Sequence, residues 1–220
     1  MKVELYDGCR DVRVKVELSG GRRVLAGFLG LLQAESIFEI RLSDYEEVQL
    51  PRELSRFSAL KAIHFEHCHG LTEYPAILGR CAALCEVGFY RCADLHRLDG
   101  IGECAGLRCL HLCGCESLSL VGEPLGSATG LLALDLSHSL SLVSVAWGSL
   151  PAGLRILDLG GCRNLAIPED IGEHLTHVVS VSIQDWAHGA ETLLTWSRLD
   201  ALQRRLCASA MARDGAGFDD

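Results

Sequence analysis

Between Ile37 and Ile183 the chain repeats one arrangement of apolar positions seven times. An apolar residue opens each unit at Ile37, Leu60, Leu84, Leu107, Leu131, Leu154 and Val178, at intervals that alternate between 23 and 24 residues. Three and five positions later the chain is apolar again, at Ile40/Leu42, Ile63/Phe65, Val87/Phe89, Leu110/Leu112, Leu134/Leu136, Leu157/Leu159 and Val181/Ile183. All twenty-one template positions are apolar in a chain that is 49% hydrophobic, so chance does not account for them. The two-residue alternation inside each unit predicts a strand with one buried and one open face. A single unit of this kind has nothing to bury its apolar face against, and only stacking on its neighbours gives a core.

The stretch from Leu154 to His177, LRILDLGGCRNLAIPEDIGEHLTH, displays the whole unit: L-x-x-L-x-L-x-x-C-x-x-L, then a return. The Cys position holds Cys68, Cys92, Cys115 and Cys162, with Tyr45, Ser139 and Trp186 in the other units. Among the returns, LPRELSRFSA, YPAILGRCAA and IPEDIGEHLTH predict short helices, whereas SLVGEPLGSATG and SVAWGSLPAG predict extended loops with turns. Pro51, Pro75 and Pro168 fall at similar points in three units, where no strand hydrogen bond is needed.

The period and the template resemble the leucine-rich repeat family. The Cys and the Pro–x–x–Ile–Gly return are similar to repeats of plant-type intracellular immune receptors. The resemblance covers residues 37–186 and implies an α/β fold: a right-handed curved solenoid with a parallel concave sheet and short helices or loops on the convex side. It also implies that the Cys position, which hosts Asn or Cys in the family, meets loop backbone groups.

The flanks read as end caps. Val12, Val14, Val16 and Leu18 alternate with Arg13, Lys15 and Glu17 as in a strand, and Arg22 to Ala34 carries apolar residues at helical spacing. Lys2 to Tyr6 adds an edge strand before the Asp7-Gly8 turn signal. Residues 1–36 therefore form an N-terminal strand–helix cap, a degenerate repeat that closes one end of the stack. At the other end, Leu193, Leu199, Leu202 and Leu206 stripe a helix over Glu191 to Ala210. Trp186 and Trp196 are placed to fill its junction with the last repeat. The expected divisions are a C-terminal helical cap over 187–212 and a disordered acidic tail over 213–220.

Charge narrows the range of partners. A net charge of −9 disfavours unspecific binding to nucleic acid or to an anionic membrane. Eleven cysteines, several at inward positions, fit a reducing intracellular compartment, and the start MKVELYDGCRDVRV has no apolar core of a secretory signal. The longest apolar run, Val24 to Leu32, is too short to span a bilayer.

The strand period sets out an outward row of Arg41, His64, Gly88, His111, Asp135, Asp158 and Ser182, flanked by Glu39, Ala62, Glu86, Cys109, Ala133, Ile156 and Ser180. At about 4.8 Å per strand, seven strands give a surface about 29 Å long. Arg41, Lys61, Arg91 and Arg108 lie toward the first half, and Asp135, Asp158 and Asp185 toward the second, which predicts a dipolar groove. Tyr90 sits among the basic group, and Tyr and Arg recur in binding hot spots.

Chemistry finds little support on this face. Cys109, His111 and Cys113 share one strand face, but residues two apart are about 6.8 Å from each other, too far for three to share one zinc ion. Asp135, Ser137 and His138 offer triad residue types, but His138 points away from the other two. No phosphate-binding loop or nucleophile elbow is present. The expectation is thus a non-enzymatic module without a cofactor or metal. Its concave face binds a protein partner, or packs as a subunit of a larger assembly, through Arg41, His64, Glu86, Tyr90, Arg91, Arg108, His111, Asp135 and Asp158. The alternative is a substrate-recognition adaptor of a ubiquitin ligase, or an effector- or receptor-like signalling repeat domain.

Overall fold

Each repeat opens with a short strand that pairs with its equivalents before and after it. The computed structural model describes residues 2–8, 11–17, 26–27, 29–30, 37–47, 49–121 and 123–183. Its strands are β1 (Lys2–Gly8), β2 (Asp11–Glu17), β3 (Glu39–Ser43), β4 (Ala62–Glu66), β5 (Glu86–Tyr90), β6 (Cys109–His111), β7 (Leu120–Val121), β8 (Ala133–Asp135), β9 (Ser144–Val145), β10 (Ile156–Asp158) and β11 (Ser180–Ser182). Nine of them form one sheet in the order β1-β2-β3-β4-β5-β6-β8-β10-β11. Every neighbouring pair is parallel except the β1–β2 hairpin.

The register matches the repeat. Ile40 pairs with Ile63, Ile63 with Val87, Val87 with Leu110, Leu110 with Leu134, Leu134 with Leu157 and Leu157 with Val181. All twenty-one template residues are buried in one continuous core. Side chains at equivalent positions stack in columns; the Phe65 and Phe89 rings lie 5.0 Å apart and nearly parallel.

The Cys position forms a second column, directed at the backbone. The thiols of Cys68, Cys92, Cys115 and Cys162 donate to the carbonyls of Leu42, Phe65, Phe89 and Leu136, each in the preceding repeat. Where the sequence substitutes serine, the Ser139 hydroxyl does the same to Leu112 at 3.0 Å. A buried carbonyl left unpaired is costly, and a small donor at this position removes that cost once per coil. Burial pushes the thiols of Cys115 and Cys162 up to about 12, and hydrogen bonding to Cys68 together with burial raises that of Cys92. The thiols of Cys92, Cys115 and Cys162 thus stay protonated donors, while hydrogen bonding from Cys92 lowers that of Cys68. All nine described cysteines are free.

After each of the first six repeat strands, β3, β4, β5, β6, β8 and β10, the chain turns through a left-handed residue. Asp44, His67, Arg91 and His138 have φ of 54°, 54°, 53° and 57°, and Gly114 and Gly161 fill the same position in their units. The residue types are those that tolerate this conformation, apart from Arg91. The turn keeps the ladder going: His67, Arg91, Gly114 and His138 donate their N–H to the carbonyls of Tyr90, Cys113, Ser137 and Gly160 in the next coil.

The convex side carries short helices and loops, as expected, and most of the helical turns are 3-10. LPRELSRFSA and YPAILGRCAA form 3-10 helices over Arg52–Arg56 and Ala76–Arg80, and IPEDIGEHLTH has an α-helical turn at Ile171–His174. The segments expected to be extended loops with turns carry an α-helical turn at Glu123–Gly126 and a 3-10 turn at Trp147–Ser149. They are preceded by β7 and β9, which pair in parallel as a small second sheet. A 23-residue coil leaves little chain for the return, and a 3-10 helix covers more length per residue than an α-helix. Successive i→i+3 bonds run down the segment, as from Leu54 to Pro51, Phe57 to Leu54 and Leu60 to Phe57. Pro51, Pro75 and Pro168 each contribute the accepting carbonyl at the start of such a turn.

At the N-terminal end β2 pairs in parallel with β3, bringing Val14 opposite Ile40 and Val16 opposite Leu42. Both expected strands are present, and residues 26–27 and 29–30 are helical with Leu29 buried. The expected C-terminal helix, the junction at Trp186 and Trp196, and the acidic tail lie outside the described residues.

Candidate functional site: the concave face

The pairing places the outward row side by side in the order expected: Arg41, His64, Gly88, His111, Asp135, Asp158 and Ser182. In its first half these residues are joined in a network. Arg41 donates through Nε to Glu39 at 2.7 Å and also approaches Glu66 at 3.7 Å. Oε1 of Glu86 lies 3.6 Å from Nε2 of both His64 and His111, so one carboxylate bridges two imidazoles. His111 Nδ1 in turn faces Asp135 Oδ2 at 3.4 Å.

The ring of Tyr90 lies between those imidazoles, stacked on each with centroids 5.8 Å apart. Gly88 makes room for it. A Cβ on Gly88 would come 2.6 Å from Tyr90 Cε2 and 2.7 Å from His64 Nδ1. His64, expected on the surface, faces outward but is only 4% exposed. Its Nδ1 is buried without a hydrogen-bond partner among the described residues.

The two histidines are driven in opposite directions. Burial, then the positive charge of Arg41, lowers the pKa of His64. The hydrogen bond with Asp135 raises that of His111, against its own burial. Burial pushes Asp135 up, but bonds from His111 and Ser137 outweigh it and hold the carboxyl below its ordinary value. Burial, with the nearby Glu86 and Asp135 charges, pushes the Tyr90 phenol up to about 12.

The second half is simpler. Asp158 accepts from the N–H of Gly160 at 2.8 Å, as Asp135 does from Ser137. Among the described residues, no lysine, arginine or histidine lies within ion-pair range of Asp158. Beside it Ile156 is exposed.

The basic half of the anticipated dipole is not on this face. Arg108 is held at the sheet's edge, its guanidinium donating to the carbonyls of Ala105, Leu107 and Gly130. Lys61 extends over the Phe38 ring, with Nζ 5.2 Å from its centroid. Arg91 occupies the left-handed rim turn, its side chain running past Gly114. Of the four basic residues only Arg41 stands in the outward rows, against Glu39, Glu86, Asp135 and Asp158. Strand alternation identified the rows but carried no information about these edge contacts.

Among the described residues no cluster of three or more metal-ligating side chains is close enough to hold an ion, at Cys109, His111 and Cys113 or elsewhere. Ser137 is buried and His138 exposed in the rim turn, so the triad residue types do not converge. No helix among the described residues is long and apolar enough to cross a membrane.

What recurs is the coil itself: template residues in register, a donor aimed at the preceding coil, a left-handed turn, and a 3-10 or short helical return. The chain has the leucine-rich repeat fold. No protein-family model matches this repeat chain, and no curated protein matches it. Among solved structures it is similar to the leucine-rich repeat domain of the type III effector XopL, at 16% identity over 79% of this chain and 77% of that one, with a TM-score of 0.43. It is also similar to the Leptospira interrogans leucine-rich repeat protein LIC12759, at 15% identity over 81% of this chain and 57% of that one, TM-score 0.38. An internalin, inlF, from Listeria monocytogenes aligns at 15% identity over 78% of this chain and 64% of that one, TM-score 0.38. With likeness at this level, the assignment rests on the repeat register, and the plant-type form of the repeat remains a resemblance in sequence.

Proposed function

We propose that this leucine-rich repeat chain is a non-enzymatic protein-interaction module that receives a protein partner on its concave face. The observation that carries the reading is the pair of outward rows in register across seven parallel strands, from Glu39 and Arg41 to Ser180 and Ser182. A rigid ribbon about 29 Å long presents preorganised side chains to a partner at little entropic cost. Its acidic character works against phosphate backbones and anionic lipid surfaces. The free thiols fit a reducing compartment.

The test is affinity capture with the whole protein and three kinds of variant. Glu86→Ala combined with Tyr90→Ala alters the concave network; Arg91→Ala and Arg108→Ala alter the two rims; Arg52→Ala combined with Arg56→Ala alters the exposed convex side. A protein retained by the convex variant and lost by the concave one supports the reading. Loss confined to the convex variant overturns it, and loss confined to a rim variant moves the contact to that edge.

A further inference from the structure

We propose that the C-terminal half of the concave face, over β8, β10 and β11, seats an extended protein segment that carries an aliphatic side chain and, two residues away, a lysine or arginine. The inference rests on the concave-face reading and names the partner's chemistry.

The aliphatic half comes from three side chains that this sheet leaves open. Leu132, Ile156 and Val179 are 44%, 52% and 38% exposed. They are adjacent in the sheet. Ile156 N–H donates to the carbonyl of Leu132 at 3.0 Å, and Val179 N–H donates to the carbonyl of Arg155 at 2.8 Å. Ile156 opens the outward row of β10, and Leu132 and Val179 stand one residue before β8 and β11, at the same sheet edge as Arg108 and Arg155. Solvated apolar side chains grouped in this way mark a surface that gains by being covered.

The cationic half comes from Asp158 and Asp135. Asp158 is two residues beyond Ile156 on the same strand and face, and Asp135 is beside it in register. Asp135 is shared with His111, whose Nδ1 lies 3.4 Å from it, and the one nearby arginine leaves Asp158 without a cation among the described residues. The Arg155 guanidinium is turned back onto the carbonyls of Ala152, Gly153 and Leu154. An extended partner has the same spacing of about 6.8 Å between residues two apart, so its aliphatic group can cover Ile156 while its cation meets Asp158. Phosphates and anionic headgroups carry the wrong charge for this site.

The probe is a short labelled peptide with leucine and arginine alternating at every second position and serine between, titrated against the whole protein by fluorescence anisotropy. Two control peptides replace arginine by glutamate, or leucine by serine. Asp135→Asn with Asp158→Asn removes the charge while keeping an oxygen for the N–H of Ser137 and Gly160, so the turns are preserved. Ile156→Ser changes a side chain that the core does not use. Binding of the leucine–arginine peptide alone, weakened about fivefold by the double Asn variant and about tenfold by Ile156→Ser, supports the proposal. Equal binding of the serine–arginine or the glutamate peptide overturns it. Binding that ignores these variants but is lost in Glu86→Ala with Tyr90→Ala also overturns it, while leaving the concave-face reading standing. So does failure of every peptide to bind when a captured partner is lost on changing the concave face.

Discussion

The two halves of the concave face are built on the same strands in the same register, yet they use their outward residues differently. In the first half Glu39, Arg41, His64, Glu86, Tyr90 and His111 are spent on one another: carboxylates meet a guanidinium and two imidazoles, and the phenol ring fills the slot above Gly88. In the second half Asp158 meets only a backbone N–H among the described residues, and Ile156 is in solvent. A part-buried network holds its members in place, whereas open charge and apolar area leave interaction energy for a partner. Position in a repeat therefore does not decide availability. The neighbouring coil does.

The sharpest way to break this contrast is Gly88→Ala. The added carbon meets the Tyr90 ring and His64, so the stack must open, and we expect a loss of about 1–3 kcal/mol in urea unfolding. An unchanged unfolding midpoint would mean that the stack yields without resistance.

The inner face gives a control that should not distinguish the halves. Ser139→Ala strands the Leu112 carbonyl in the core and should cost about 1–3 kcal/mol, whereas Ser139→Cys restores a donor of the kind found in the other coils. Equal losses for both would show that packing, not the hydrogen bond, sets the residue.

Titration separates the two histidines. His111 has a raised pKa, so its contribution to stability is full below its ordinary value and is lost as pH rises through the raised one. His64 has a lowered pKa, so its contribution is full above its ordinary value and is lost as pH falls through the lowered one. Unfolding free energies from about pH 5 to about pH 8 should therefore show wild type exceeding His111→Gln most at the acid end. His64→Gln should flatten the acid-side loss. Parallel profiles for the two variants would refute the opposed assignment. The smallest effect belongs to the second half: Ile156→Ser should change stability by no more than about 0.5 kcal/mol, because its side chain is already in water. A larger loss would place Ile156 in the fold rather than on an open surface.

Much of the fold was legible before any coordinates. Leu110, Leu134 and Leu157 were assigned inward and Asp135 and Asp158 outward by a rule that needs only alternate residues, and the pairings follow it. The Cys position was assigned to backbone contact through the family resemblance, and Ser139 shows that the geometry asks for a donor rather than for sulfur. The candidate site was legible only as rows. The clustering of basic residues in the first half points Arg91 and Arg108 to it, but one stands in a rim turn and the other is held by edge carbonyls. The exposed Leu132 and Val179 were missed because they occupy the position after each template start, where the same period gives no clear direction.

The sequence by itself determined the period, the strands, the inward columns and the outward order, because each follows from local alternation repeated every 23 or 24 residues. Tertiary structure decided the 3-10 returns, the burial of His64, the sharing of Glu86 between two imidazoles and the openness of Ile156 and Asp158. These depend on which side chain the next coil places about 4.8 Å away. That neighbour is a full repeat distant along the chain, beyond the reach of any local pattern.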